Sequence, residues 1–202
     1  MSDHYYSRNP KVESNPDEWN FTLRGKSFRF KTDAGVFSKR EVDFGSRLLI
    51  EAFVLPEVSG NQPIIDVGCG YGPIGLSLAA SFADREIHMV DVNERAIQLS
   101  GENARMNEIE NVKIYESSVF ENVHETEFAA VVSNPPIRAG KKVVHEILEM
   151  SKSLLQDGGE LWIVIQKKQG APSAMAKMED VFGNVEVILK KKGYYILKAK
   201  KV

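Results

Sequence analysis

Residues 64–75, Ile-Ile-Asp-Val-Gly-Cys-Gly-Tyr-Gly-Pro-Ile-Gly, leave this chain few folds to choose from. Pro63 to Val67 is short, apolar and partly β-branched, which suits a strand covered on both faces. Gly68, Gly70 and Gly72 lift the Cβ restriction where the chain must turn sharply and let a ligand approach the backbone. Pro73 fits the first turn of a helix, and Ile74, Leu76, Leu78 and Ala79 give that helix a face to lay on a sheet. A strand, a glycine turn and a helix are expected to leave backbone N–H groups pointing at one spot.

The ligand at that spot has two readings. Gly70-x-Gly72-x-x-Gly75, with Asp91 about 20 residues on, matches the dinucleotide fingerprint. Asp66 points elsewhere: an acid beside the turn repels a pyrophosphate and suits an ammonium. S-adenosylmethionine carries an amino group and a sulfonium and no phosphate. A purely structural turn is the third reading.

The rest of the chain alternates strand and helix around this unit. An irregular arm is expected over residues 1–18, then a β-hairpin with strands 20–23 and 27–30. Asp43 or Ser46 is placed to cap a helix running to about Phe53. Strands are expected at 86–90, 112–115, 128–133 and 160–165, and helices at 94–106, 142–155 and 173–182. Gly158-Gly159 reads as a turn before the 160–165 strand, and 185–189 with 194–199 as a closing antiparallel hairpin. This order predicts a doubly wound α/β sheet. In such sheets a ligand sits beyond the carboxyl ends of the strands, so the Gly68 turn and Asn134 should face one crevice. The expected organisation is an arm and hairpin over residues 1–40 and one α/β domain over 41–202.

Asn134-Pro135-Pro136-Ile137 carries the expected chemistry. The prolines remove two donors and stiffen the chain, leaving the Asn134 amide oxygen and a nearby backbone carbonyl to accept hydrogen bonds. Two such acceptors hold an exocyclic NH2 and aim its nitrogen at a methyl donor, with Ile137 against the flat ring. Asp91 is placed to accept from ribose hydroxyls, or else to cap a helix. Ser118-Val119-Phe120 is a place for an adenine edge.

Charge supports this division. Residues 41–137 carry 16 acidic and 5 basic side chains, while residues 138–202 carry 13 basic and 7 acidic ones. An acidic middle suits a cationic cofactor and a basic end an anionic partner. Arg138, Lys141 and Lys142 follow the proposed acceptor, and Lys190–Lys192, Lys198, Lys200 and Lys201 interleave with Tyr194 and Tyr195, a pattern that suits RNA. Cys69 is the single cysteine, so neither an intrachain disulfide nor a cysteine zinc site is expected. His88, His124 and His145 lack ligand spacing and read as structural, and Trp19 and Trp162 as packing residues. No apolar run reaches the roughly 18 residues of a membrane span, and residues 1–6 lack a signal-peptide core; a cytoplasmic setting is the expectation.

These residues resemble the small-domain class I methyltransferases, and most closely the catalytic domain of the RsmC-type 16S ribosomal RNA guanine-N2 methyltransferases. The resemblance spans about residues 20–200. It rests on Lys31-Thr32-x-x-Gly35-Val36-Phe37-Ser38, on Asp66-Val67-Gly68-Cys69-Gly70-x-Gly72, on Asp91-Val92-Asn93 and on Asn134-Pro135-Pro136. It implies a seven-stranded, mostly parallel sheet closed by an antiparallel hairpin. It implies an S-adenosylmethionine cofactor held by Asp66, Gly68, Gly70, Gly72, Asp91, Asn93, Ser118, Val119 and Asn134. It implies methylation of an exocyclic base nitrogen in ribosomal RNA or a ribosomal subunit, with Asn134 and Pro135 catalytic and Phe37, Pro136, Ile137, Arg138 and Lys141 on the substrate side. Two features depart from the pattern: Ser118 stands where many relatives place an acid on the adenine amine, and RsmC enzymes carry a second, amino-terminal copy of the domain. Asn-Pro-Pro also occurs in adenine-N6 and glutamine-N5 methyltransferases, usually with an aromatic fourth residue where this chain has Ile137. An NAD(P)-dependent oxidoreductase and a non-catalytic RNA-binding module are the readings from other classes.

Overall fold

A computed structural model describes residues 13–36, 38 and 40–202. Two strands, β1 (Asp17–Leu23) and β2 (Lys26–Thr32), form an antiparallel hairpin of their own. Helix α1 (Phe44–Ala52) leads to β3 (Ile64–Val67), α2 (Pro73–Ser81), β4 (Ile87–Asp91), α3 (Glu94–Met106), β5 (Val112–Glu116) and β6 (Phe128–Ser133). Then come α4 (Lys141–Leu154), β7 (Leu155–Gln166), α5 (Ala171–Phe182), β8 (Glu186–Lys191) and β9 (Tyr194–Lys200). The main sheet has the order β5-β4-β3-β6-β7-β9-β8. Its first five strands are parallel, and β9 runs antiparallel to both β7 and β8. This is the sheet that the alternation of strand and helix predicts.

The strand sequences explain why both faces are covered. β3 and β6 are apolar without a polar stripe, so alternate residues point to opposite faces and both sets need burial. Ile64, Ala130 and Val132 join one core with α1, α2, α3 and the hairpin, while Ile65 and Val131 join the other with α4 and α5. The chain leaves β3 toward β4 on one side and lies beside β6 on the other, so the strand order reverses between β3 and β6. That reversal opens a crevice at their carboxyl ends. Ser133 Oγ closes its floor by donating to the Val67 carbonyl at 2.8 Å.

The hairpin docks by a side-chain device. A two-stranded sheet has an open edge, and unpaired edge groups must be satisfied. Asn103 of α3 and Asn107, its C-cap, act as substitute strand partners: Lys31 N donates to Asn103 Oδ1 at 2.7 Å and Arg29 N to Asn107 Oδ1 at 2.9 Å. Their Nδ2 groups return bonds to the Lys31 and Arg29 carbonyls. Trp19 and Phe30 then pack on Tyr71, fixing the hairpin against the glycine turn. Trp162 is a packing residue as well, its ring 5.3 Å from that of Phe53.

One expectation changes here. Gly158-Gly159 does not end before a separate strand; β7 begins at Leu155 and runs through both glycines. The pairing with β6 slips between Phe128 and Ala130, so the bend is a bulge inside a continuous strand. A Cβ on Gly159 would lie 2.9 Å from the carbonyl oxygens of Gln156 and Phe128, which is why the bulge needs glycine. Two short 3-10 turns, Ile137–Ala139 and Lys167–Gln169, fall where no periodic pattern marks them.

Candidate active site

The glycine turn is held mostly by its own backbone. Gly68 N and Cys69 N donate to the Val90 carbonyl at 2.8 and 2.9 Å, and Gly72 N to the Cys69 carbonyl at 3.0 Å. Gly70 N donates to Asp91 Oδ2 and Gly75 N to Asp66 Oδ2, each at 2.9 Å. The expectation of several N–H groups free for one ligand is therefore not met, since these five amides already have protein acceptors. A pyrophosphate needs such donors; this turn offers an anion little and presents acids behind it. Gly75 serves packing: a Cβ there would lie 2.6 Å from Met89 Cγ, so glycine lets α2 lie close on the sheet.

The crevice is a cleft of about 560 Å³, within the range of small-molecule sites. Gly68, Cys69, Gly70, Asp91, Val92, Asn93, Ser117, Ser118 and Val119 line one half of it. Asn134, Pro135, Pro136, Ile137 and Arg138 line the other, with Asp43, Ser46, Glu146, Gln166, Gln169 and Tyr194. The two loops touch: a Cβ on Gly68 would stand 3.9 Å from Pro136 Cδ. Both expected halves thus share one cavity.

Several residues sit differently from their expected places. Asp66 is completely buried and does not line the cleft. Its Oδ2 braces Gly75 N, and its Oδ1 has no hydrogen-bond partner. Strand alternation explains this, because Asp66 points into the helix side while Val67 reaches the cleft edge. Gly72 is also off the cleft wall; it precedes α2 at φ 105°, where a Cβ would meet Leu76 Cδ1 at 2.9 Å. Lys141 is exposed on a separate shallow groove with Lys142, His145, Glu146 and Glu149. Asn93 lines the cleft, but its side chain caps α3, accepting from Arg95 N and Ala96 N, and its Nδ2 donates to the Gly35 carbonyl. Phe37 lies outside the described residues. His88 and His145 pair with Tyr115 and Ser173 at 2.9 and 3.1 Å. Among the described residues no three His, Cys, Asp or Glu side chains converge as a metal site would require.

The electrostatics favour a cation. Burial pushes the Asp66 carboxyl up to about 7, opposed by the Gly75 bond and reinforced by Asp91. Burial also raises Asp91, although its two oxygens accept from Gly70 N and Asn93 N. The Cys69 thiol is pushed up by burial first and by both acids second, so it stays protonated and inert. An arriving positive charge favours the ionised forms of Asp91 in the cleft wall and of Asp66 buried behind the turn. Both acids, the half-apolar walls of Val92 and Val119, and the volume fit S-adenosylmethionine.

A family profile described as the methyltransferase small domain matches residues 27–198. The chain belongs to that family. Members carry the class I methyltransferase fold, and S-adenosylmethionine is the cofactor. The chain is 65% identical to the uncharacterized protein YbxB of Bacillus subtilis (strain 168), over the full length of both. It is 30% identical to the ribosomal RNA small subunit methyltransferase C of Photorhabdus laumondii, covering 95% of this chain and 55% of that one. The Thermus thermophilus 16S rRNA N2 G1207 methyltransferase (RsmC), solved with AdoMet and guanosine, superposes with a TM-score of 0.82 at 26% identity, over 96% of this chain and 52% of that one. The chain therefore spans about half the length of the ribosomal RNA methyltransferases it matches.

Polar residues and a tyrosine that the sequence did not place in this small-domain methyltransferase cleft include Asp43, Ser46, Glu146, Gln166, Gln169 and Tyr194. Asp43 and Ser46 were legible only as helix caps. Tyr194 was marked only by the lysine–tyrosine pattern near the end of the chain, and no local pattern marks Glu146, Gln166 or Gln169; all four reach the cleft through the ordering of β7, β9 and α4.

Proposed function

We propose that this methyltransferase places the methyl group of S-adenosylmethionine on an exocyclic amino nitrogen, guanine N2 of ribosomal RNA. The observation that carries the reading is the direction of the Asn134 amide. Its Nδ2 donates to Asp43 Oδ1 at 3.2 Å and to Ser46 Oγ at 3.0 Å, so its oxygen is the atom turned away from them. We assign the second acceptor for the NH2 group to the backbone carbonyl of Pro135, the next residue and itself part of the cleft wall. When bound, S-adenosylmethionine supplies an activated methyl on a positive sulfur. Asp91 holds the ribose end beside Asn93, whose own side chain is spent on capping α3, Ser118 and Val119 border the adenine, and Asp66 keeps the turn in shape behind Gly68 and Gly70. Asn134 and Pro135 direct the nitrogen lone pair at the methyl carbon. The N–C bond forms as the S–C bond breaks, and the nitrogen's proton leaves to water afterwards, so no strong base is required. Orientation of this kind supplies several kcal/mol, on the order of 7 or more in favourable cases. Pro136, Ile137 and Arg138 take the base and its backbone. Residues 41–202 act as the catalytic domain, with the β1–β2 hairpin docked on it.

The relatives named for ribosomal RNA methylation support that substrate, and so does the rim of the cleft. Lys167 N donates to the Gly193 carbonyl at 2.8 Å, which brings Lys167 and Lys168 beside the β8–β9 turn with Lys190, Lys191 and Lys192. All five are exposed, next to cleft-lining Gln166, Gln169 and Tyr194. Such a rim suits the phosphates of a single strand delivering one unstacked base. Replacing Lys167, Lys168 and Lys191 by Gln should reduce the salt dependence of RNA binding by a slope of about 2, at about 0.7 per phosphate contact. Fluorescence titration against salt measures this; an unchanged slope removes the rim from the RNA path.

Tritiated-methyl transfer to unmodified 16S rRNA, to small ribosomal subunits and to total protein tests the whole reading. N2-methylguanosine in the nuclease digest is the expected product. N6-methyladenosine or methylglutamine would replace the substrate while keeping the chemistry. Calorimetric binding of NADH in place of S-adenosylmethionine would overturn it.

A further inference from the structure

The two acceptors of the Asn134 amide both come from the start of α1, Asp43 as its N-cap and Ser46 in its first turn. Asp43 lies 91 residues before Asn134 and Ser46 lies 88 before it. The same Asp43 oxygen that accepts from Asn134 also accepts from Ser46 N at 3.1 Å and so caps the helix. A carboxylate oxygen only accepts, so it must face an NH2 group and never a carbonyl oxygen. Turning the Asn134 amide over would set two acceptors against each other at about hydrogen-bond distance, which removes that orientation from the ensemble. Ser46 Oγ alone would not make this selection, because a hydroxyl serves either end of an amide. The helix start is itself held, with the Tyr194 ring packed against Phe44 and so close to Gly45 that a Cβ there would lie 2.9 Å from it.

We propose that Asp43 and Ser46 are positioning residues for methyl transfer: they receive the two hydrogens of the Asn134 amide and thereby fix its oxygen toward the target amine. This rests on the role given to Asn134 above. It makes one helix cap responsible both for starting α1 and for the polarity of the catalytic amide. Neither residue touches the reacting atoms in this scheme.

The roles of cap and positioner separate by substitution. Serine caps helices about as well as aspartate but is too short to reach Asn134 from position 43. Ser46→Ala removes the hydroxyl and keeps the backbone N–H that the cap uses. Asp43→Asn keeps an acceptor oxygen in place for both donors. Transfer to 16S rRNA by the Asp43→Ser/Ser46→Ala double variant should fall about 30- to 100-fold in kcat, in keeping with two lost hydrogen bonds. The S-adenosylmethionine Kd and the RNA KM should stay within about twofold, since neither residue is a binding group in this scheme. Restoring Asn at position 43 in a Ser46 background should recover kcat to within about threefold of the unaltered chain. Hydrogen exchange of the Asn134 side-chain amide, identified in NMR spectra by its loss in Asn134→Ala, should be slow in the unaltered chain and fast in the double variant. An unchanged kcat in the double variant overturns the proposal. So does an Asp43→Asn loss as large as that of Asp43→Ser, which would make the charge and not the placement decisive. If the unaltered chain methylates no RNA, the functional reading fails and the amide exchange alone decides: protection lost in the double variant upholds the positioning role, and equal exchange rejects it.

Discussion

Asn134→Ala should abolish most methyl transfer, by about a thousandfold in kcat or about 4 kcal/mol of barrier, while the chain stays folded and binds cofactor. Three features of the site set that expectation. The side chain supplies one of two acceptors that orient the target nitrogen. The prolines on its carboxyl side hold the backbone without help from the Asn134 side chain. The floor of the cleft is fixed by Ser133 Oγ on the Val67 carbonyl, not by Asn134. Loss of the amide leaves Asp43 still bonded to Ser46 N, so α1 keeps its cap and stability should fall by only about 1 kcal/mol. Asn134→Asp makes the sharper comparison. It keeps shape and oxygen but has no hydrogens for Asp43, and it brings two carboxyls to the 3.2 Å now spanned by a hydrogen bond. The aspartate variant should therefore lose as much transfer as the alanine variant and more stability. Isothermal calorimetry with S-adenosylmethionine, thermal unfolding and single-turnover methylation separate these effects. Near-normal turnover by the alanine variant would remove Asn134 from the chemistry.

Much of this frame was legible in the sequence because its signals are local. Glu94–Met106 is a helix within the bounds that the apolar spacing gives, although its cap is Asn93 and not Asp91, the acid the sequence offers for it. Phe128–Ser133 is a closed apolar run and becomes a central strand over that span. The glycine turn and Asn-Pro-Pro were readable because each forces a particular backbone. What escaped was decided by contacts far apart in the chain. The pairing of Asp43 with Asn134 crosses 91 residues and depends on where α1 lies over the sheet. Tyr194 reaches the cleft only because β9 inserts beside β7. Gly158-Gly159 carries turn chemistry, but a β-bulge uses the same residues inside a strand, and composition does not separate the two. Asp66 shows the limit most clearly: its position beside the turn was readable, and the face it points to was not.

That buried face gives Asp66 a measurable signature in pH. Its carboxyl has an ordinary value of 3.8 and is pushed up to about 7 in the folded chain, chiefly by burial. Below both values the group is protonated in folded and unfolded states and contributes no slope. Between them the unfolded chain has released the proton and the folded chain has not, so the folded state binds more protons and stability falls as pH rises. Above 7 the folded chain carries the charge in its interior and the loss is complete. From pH 5 to pH 8 this single group should remove about 2–3 kcal/mol of stability. Asp66→Asn keeps an oxygen for Gly75 N and cannot ionise, so the difference in unfolding free energy between the two chains should grow by that amount across the same interval. Urea unfolding at pH 5, 6, 7 and 8 measures it, and parallel curves would show that the carboxyl ionises normally. Cofactor binding should reverse the trend. A positive charge arriving in the cleft, in front of the turn that Asp66 braces, favours the charged form of the Asp66 carboxyl, so S-adenosylmethionine should bind more tightly at pH 8 than at pH 6, with proton release. In the unaltered chain the same carboxyl thus weakens the empty fold and strengthens the loaded one as pH rises. Asp66→Asn should flatten both dependences together, which a turn of purely structural purpose would not do.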